Sequence, residues 1–195
     1  LADPVDVLVS LTKGDTIVRS DEADNTIGFT EDDVIAVDLT AALIDTDGSE
    51  LVTGFTLTGM PTGTVFSAGE LNSDGSWTVD AADITGLTMT LAPHSGENFT
   101  LAVTAHNQDI DPDSGKITTS NSTADVQVVV NAAADPATLI LDDVTGAAGA
   151  TIDLPISPVL IDTDGSESIT SVVISGLPLD AVLSAGSNNG DGSWT

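Results

Sequence analysis

Ile35-Ala36-Val37-Asp38-Leu39-Thr40-Ala41-Ala42-Leu43 runs directly into Ile44-Asp45-Thr46-Asp47-Gly48-Ser49-Glu50. In the first stretch the apolar residues fall on every second position, the period of a strand with one buried and one wet face. A helix would need them at i, i+3, i+4 and i+7, and no segment of the chain keeps that spacing for long. The second stretch is a turn, with Asp-Gly at its centre and two further acids around it.

The turn is not used once. Ile44 to Glu50 returns unchanged at Ile161 to Glu167, 117 positions later. Without a gap, residues 35–78 align on 152–195, and 22 of the 44 pairs are identical. They include Gly59/Gly176, Pro61/Pro178, Ser67-Ala68-Gly69/Ser184-Ala185-Gly186 and Asp74-Gly75-Ser76-Trp77-Thr78/Asp191-Gly192-Ser193-Trp194-Thr195. A period of this length is a whole domain, not a solenoid turn. Both copies open with Ala-Asp-Pro, at residues 2–4 and 134–136, the second after a run of small residues. The boundary is therefore expected near residue 133, with 1–133 a complete repeat and 134–195 the first half of a second. Between Ala-Asp-Pro and the shared turn the first repeat is 15 residues longer, within Val5 to Asp33. The excess reads as an extra hairpin turning at Lys13-Gly14 or as a lengthened first loop.

Alternation continues at Phe55/Leu57, Trp77/Val79, Phe99/Leu101/Val103/Ala105 and Val126/Val128/Val130, and Ile152/Leu154/Ile156 repeats it. Turn signals separate these runs at Asp47-Gly48, Met60-Pro61, Asp74-Gly75, Ala92-Pro93 and Pro112 to Gly115. About seven short strands in a module of this size predict an all-β chain, an immunoglobulin-like antiparallel β-sandwich in tandem repeat. A short helical turn fits only at Ala81 to Ile84.

The net charge is −28, from 31 acids against Lys13, Arg19 and Lys116. That sign excludes nucleic acid as a partner and opposes anionic membrane surfaces. Asp dominates the acids, and Asp suits turns and hard-cation coordination better than solubilising helices. Either divalent cations neutralise much of this charge, or the acidity is a general adaptation to salt. The absence of cysteine excludes disulfides and thiolate metal sites. No apolar run is long enough for a membrane span. A chain that starts at Leu1, with no visible signal peptide, reads as a processed or excised segment.

Two constellations carry chemistry. Asp45, Asp47 and Glu50, repeated as Asp162, Asp164 and Glu167, place alternating carboxylates round a glycine turn, as the oxygen-rich shell of Ca2+ requires. The alternative is a plain Asp-Gly turn. Asp109, Asp111 and Asp113, with Gly115, form a second alternating set, or else a solvated acidic loop. In an immunoglobulin topology the two loops share one end, so both sets should converge near Asp3. His94 and His106 are the only histidines, and His106, just before the acidic loop, reads as a surface residue; no nucleophile–base pair is in view, so no enzyme is expected. Trp77 and Trp194 read as core or hairpin-packing residues.

The Ile-Asp-Thr-Asp-Gly-Ser-Glu turn, the Gly-x-Pro and Ser-Ala-Gly segment and the Asp-Gly-Ser-Trp-Thr hairpin together resemble the tandem repeats of giant calcium-dependent bacterial adhesins of the repeats-in-toxin type. The resemblance covers most of the chain. It implies cadherin-like extender domains at the bacterial cell surface, acting in adhesion and biofilm formation and folded outside the cell with Ca2+ at their junctions. By the same resemblance Glu31 and Glu97 would join Asp135, Asp162 and Asp164 at a junction. The partners implied are neighbouring repeats and, through other domains, a host or biofilm ligand, with no membrane insertion by this segment. The alternative reading is a carbohydrate- or protein-binding module that uses the 5–33 insertion. The cadherin Asp-Arg-Glu motif and the glycine-rich nonapeptides are absent from this stretch.

Overall fold

A computed structural model describes residues 2–22, 28–45, 47–163, 165–178 and 180–195. The chain divides into two compact units, residues 1–133 and 134–195. Among the described residues there is no helix, and so none long and apolar enough to cross a membrane.

The first unit runs through β1 (Asp6–Lys13), β2 (Thr16–Arg19), β3 (Phe29–Thr30), β4 (Val34–Ala42), β5 (Glu50–Thr58), β6 (Val65–Phe66), β7 (Glu70–Leu71), β8 (Trp77–Asp80), β9 (Thr88–Thr90), β10 (Phe99–Ile110), β11 (Ile117–Val128) and β12 (Val130–Asn131). Two five-stranded antiparallel sheets result, in the orders β2-β1-β4-β9-β6 and β11-β10-β5-β8-β7. A short parallel pair, β3 with β12, lies outside them.

The period-two pattern fixes which face is inward. Val9, Leu11, Ile35, Val37 and Leu39 of the first sheet and Phe55, Leu57, Val79, Leu101, Val103 and Ala105 of the second are all buried in one core. Each Val, Leu, Ile or Phe among them contributes about 1.5–3 kcal/mol relative to exposure, so the core dominates the stability of this unit. Trp77 belongs to it, with its indole N–H donating to Ala68 O at 2.8 Å and its ring 5.5 Å from that of Phe66. The insertion is a hairpin, β1–β2, turning at Gly14-Asp15, where Gly14 has φ 57°; this conformation suits glycine at the first central position of a hairpin turn. Residues 81–86 form turns, not a helix.

The second unit contains β13 (Thr138–Leu141) and β14 (Ile156–Val159), antiparallel. Its register reproduces that of β1 on β4: Thr138 pairs with Val159 as Asp6 pairs with Ala42, and Leu141 with Ile156 as Val9 with Leu39. The bridges of Trp194 to Ile174 and Asn188 match those of Trp77 to Leu57 and Leu71. Large apolar side chains such as Leu139, Ile140, Leu141, Val173 and Val182 remain exposed in this unit.

The repeated Ser-Ala-Gly has a steric cause. Gly69 sits at φ 88°, and a Cβ there would lie 2.2 Å from Thr78 O; at Gly186, φ 90°, it would lie 2.6 Å from Thr195 O. Only glycine lets the backbone approach the Trp-Thr strand this closely. Gly75 shares the left-handed conformation, at φ 86°, but a Cβ would meet nothing within 4 Å. Gly69→Ala is therefore expected to cost about 3 kcal/mol or more, strain plus clash, against about 1–2 kcal/mol of strain alone for Gly75→Ala. Urea unfolding of the two variants checks this, and equal losses would contradict the packing argument.

Candidate metal centres

The β4–β5 and β10–β11 loops lie at the same pole of the first unit. Ile110 N–H donates to Ser49 O at 3.0 Å, and Asp109 stands opposite Glu50 in the ladder. The segment before β1 enters at this pole. Asp3 N–H donates to Glu50 Oε1 at 2.8 Å, and Asp3 O accepts from Asn107 Nδ2 at 2.7 Å. One short backbone stretch is thus held between a carboxylate on β5 and an amide on β10.

The two side chains that hold it are left incomplete. Glu50 Oε2 and Asn107 Oδ1 are both buried and accept no hydrogen bond among the described residues. Asn107 is 2% exposed. A buried oxygen without a donor costs about 1–3 kcal/mol, and more when it is charged. Hard divalent cations such as Ca2+ take carboxylate and amide oxygens, the two oxygen types left without a donor here.

The second unit repeats the arrangement. Asp135 N–H donates to Glu167 Oε1, the counterpart of Asp3 on Glu50, and Glu167 Oε2 is again buried without a hydrogen-bond partner among the described residues. Asp162, the counterpart of Asp45, is 1% exposed, and one of its oxygens accepts from Ser166 Oγ at 3.3 Å. Asp164 lies outside the described residues.

Other expected ligands are bonded within their own loops. Asp45 Oδ1 accepts Asp47 N–H at 3.0 Å, and Asp47 Oδ1 accepts Ser49 N–H at 2.8 Å and Ser49 Oγ–H at 2.6 Å. Asp111 Oδ1 accepts Asp113 N–H at 3.0 Å and Ser114 N–H at 2.8 Å, which builds the exposed β10–β11 turn; Asp113 is exposed in it. Asp3, through its backbone, and Glu50 and Asp109, as strand partners, thus lie at the same pole, while Asp45, Asp47 and Asp111 each commit one oxygen to turn geometry.

At the opposite pole Glu31 is 3% exposed. Its Oε1 accepts Ala133 N–H, and its Oε2 is buried without a hydrogen-bond partner among the described residues. Beside it Asp32 and His94 hold φ of 63° and 56°, and His94 N–H reaches Asp32 Oδ1 at 3.3 Å. Such backbone costs about 1–3 kcal/mol per residue outside glycine and clusters at ligand sites. Glu97 is exposed; its neighbour Asn98 instead accepts Val130 N–H through Oδ1 at 2.8 Å. His106 bonds Thr56 Oγ1 and Asn121 Oδ1 on the outer face of the second sheet.

The residue that the sequence reading passed over is Asn107. Its signal was available, because Leu101, Val103 and Ala105 alternate inward and the next position on that face is 107.

Comparison of the chain with protein-family profiles, with curated proteins and with solved structures returned no match.

The turn carboxylates carry a pH signature. The Ser49 hydroxyl, then the Ser49 N–H, holds Asp47 below the ordinary Asp value of 3.8. The Ser114 N–H leads the same effect on Asp111. A depressed folded-state value means that the stabilisation is full above about 3.8 and is lost as pH falls through the folded value. In metal-free protein the Asp47 and Asp111 carboxyl carbons should titrate below 3.8 by NMR. Ser49→Ala should return Asp47 toward 3.8 and leave Asp111 unchanged; a shared response would contradict the local cause.

Proposed function

We propose that the first unit is an immunoglobulin-like, cadherin-like β-sandwich module and the second the first half of another, and that the chain is a calcium-stabilised extender segment of a bacterial surface adhesin. Its work is mechanical: it holds a distal binding domain away from the cell, with neighbouring repeats as its partners. The observation that carries this reading is the repeated Glu50/Glu167 contact. In both units one carboxylate oxygen holds the Ala-Asp-Pro backbone and the other is buried without a hydrogen-bond partner among the described residues. Chance could leave one such oxygen; the same oxygen at matching positions of two diverged copies points to a positive partner.

The electrostatics supply the mechanism. A net charge of −28 on 195 residues repels itself, and a cation at each pole removes the worst of that repulsion. Extracellular modules hold Ca2+ with dissociation constants of about 10⁻⁴–10⁻³ M. At roughly ten times that constant each site adds ~1.4 kcal/mol. The core sets the fold, but a few such increments rival a domain's net stability of ~5–15 kcal/mol. Low calcium inside the cell keeps the chain exportable, and the exterior completes its folding.

Thermal unfolding in EDTA, in millimolar Ca2+ and in Mg2+ at equal ionic strength tests this. Calcium should raise Tm by roughly 3–6 °C per occupied site in a unit of this size. Glu50→Gln, which keeps the shape and removes the charge, should abolish the increment from its site. Equal small shifts with both ions would reduce the effect to charge screening and defeat the proposal.

A further inference from the structure

The four residues before β1 are held in an unusual way. From Asp6 onward the chain is laddered to β4 of the first sheet. Before that, its backbone groups go to side chains of the other sheet. Ala2 N–H donates to Thr118 Oγ1 at 2.8 Å and Val5 N–H to Ser122 Oγ at 2.9 Å, while Asp3 is held on both sides by Glu50 and Asn107. Ala2 and Val5 are buried. A segment anchored by side chains alone has no cooperative ladder behind it, so it opens more readily than the strands.

The Asn107 amide has its orientation fixed. Nδ2 must face Asp3 O, because a flipped amide would set two acceptors 2.7 Å apart. Oδ1 is therefore directed elsewhere, buried and without a donor among the described residues. We infer that Asn107 makes cation binding and docking of Ala2–Val5 a single event, its Oδ1 serving as a neutral ligand of a hard divalent cation while its Nδ2 clamps Asp3. The inference rests on the calcium reading of the Glu50 site and adds to it a positioning residue and a consequence. Cation and docked segment favour the same state of Glu50 and Asn107, so each strengthens the other by an equal factor. In an extender this matters mechanically. With the cation bound, tension entering at Asp3 is shared with the second sheet; without it, the load falls first on the β1–β4 ladder.

The test is hydrogen exchange on the full chain. Millimolar Ca2+, compared with EDTA and with Mg2+, should slow the Asp3 and Val5 amides about tenfold, the factor expected for ~1.4 kcal/mol of linkage. The Val103 amide serves as the core reference. In Asn107→Ala the calcium effect on Asp3 and Val5 should fall below about twofold, and calcium affinity should drop about tenfold. If that variant loses protection at Val103, the pair Thr118→Val/Ser122→Ala takes its place. These residues supply no unpaired oxygen, yet by reciprocity their loss should weaken calcium binding severalfold. Calcium-dependent protection that survives Asn107→Ala, or calcium affinity unchanged by the Thr118/Ser122 pair, would overturn the inference. A calcium-specific Tm shift with exchange at Asp3 and Val5 indifferent to calcium would sink this inference alone. No calcium-specific Tm shift at all would sink the Glu50 site with it.

Discussion

Carboxylate crowding at the poles of an apolar core is the constraint to which the rest of the first unit answers. The middle of the unit is settled by packing: alternating Val, Leu, Ile and Phe from two sheets close on one another and need no charge. The poles cannot be settled that way, because the strands end there in Asp- and Glu-bearing loops. Glu50 at one pole and Glu31 at the other each hold a backbone amide with one oxygen and bury the second. The amides they hold belong to the segments that enter and leave the unit. A polar solution is thus forced at the two places where an extender would carry load.

What the two units share tells the same story at atomic detail. The Asp74-Gly75-Ser76 turn has its hydrogen bonds copied in the second unit, with Ser76 N–H on Asp74 Oδ1 and Ser193 N–H on Asp191 Oδ1, both at 3.0 Å. Asn72 and Asn189 reach across their hairpins to equivalent hydroxyls. Strand interiors have meanwhile drifted, Phe55 to Val172 and Phe66 to Leu183. Core positions accept any apolar group of suitable volume, whereas a turn carboxylate or a glycine pressed against a carbonyl does not.

That asymmetry explains how far the sequence could be read. Strands β4, β5, β8 and β10 were legible because one face of each is buried, so apolar residues mark every second position. The first part of β11, Ile117 to Ala124, was not: its buried side chains come only at Val126 and Val128, and Ser, Thr and Asn fill the rest. It is a strand because β10 supplies a full ladder, an influence from outside the segment. The candidate site was half visible. Glu50 and Asp109 come together as strand partners, and Asp3 joins them through its backbone. Asp111 and Asp113 carry the same residue type at the same spacing but belong to a turn, because a nearby backbone N–H is the first donor a short acid meets. Asn107 was marked as inward by the alternation of Leu101, Val103 and Ala105, but a neutral side chain was not sought as a ligand.

Completion of the Glu50 and Glu167 sites by a divalent cation is tested most directly by calorimetric titration of calcium into the metal-free chain. Saturable binding is expected, with a dissociation constant of about 10⁻⁴–10⁻³ M, little response to Mg2+, and the loss of one site each in Glu50→Gln and Glu167→Gln. An unchanged isotherm in the double variant, or no saturable calcium binding by the parent chain, would contradict it.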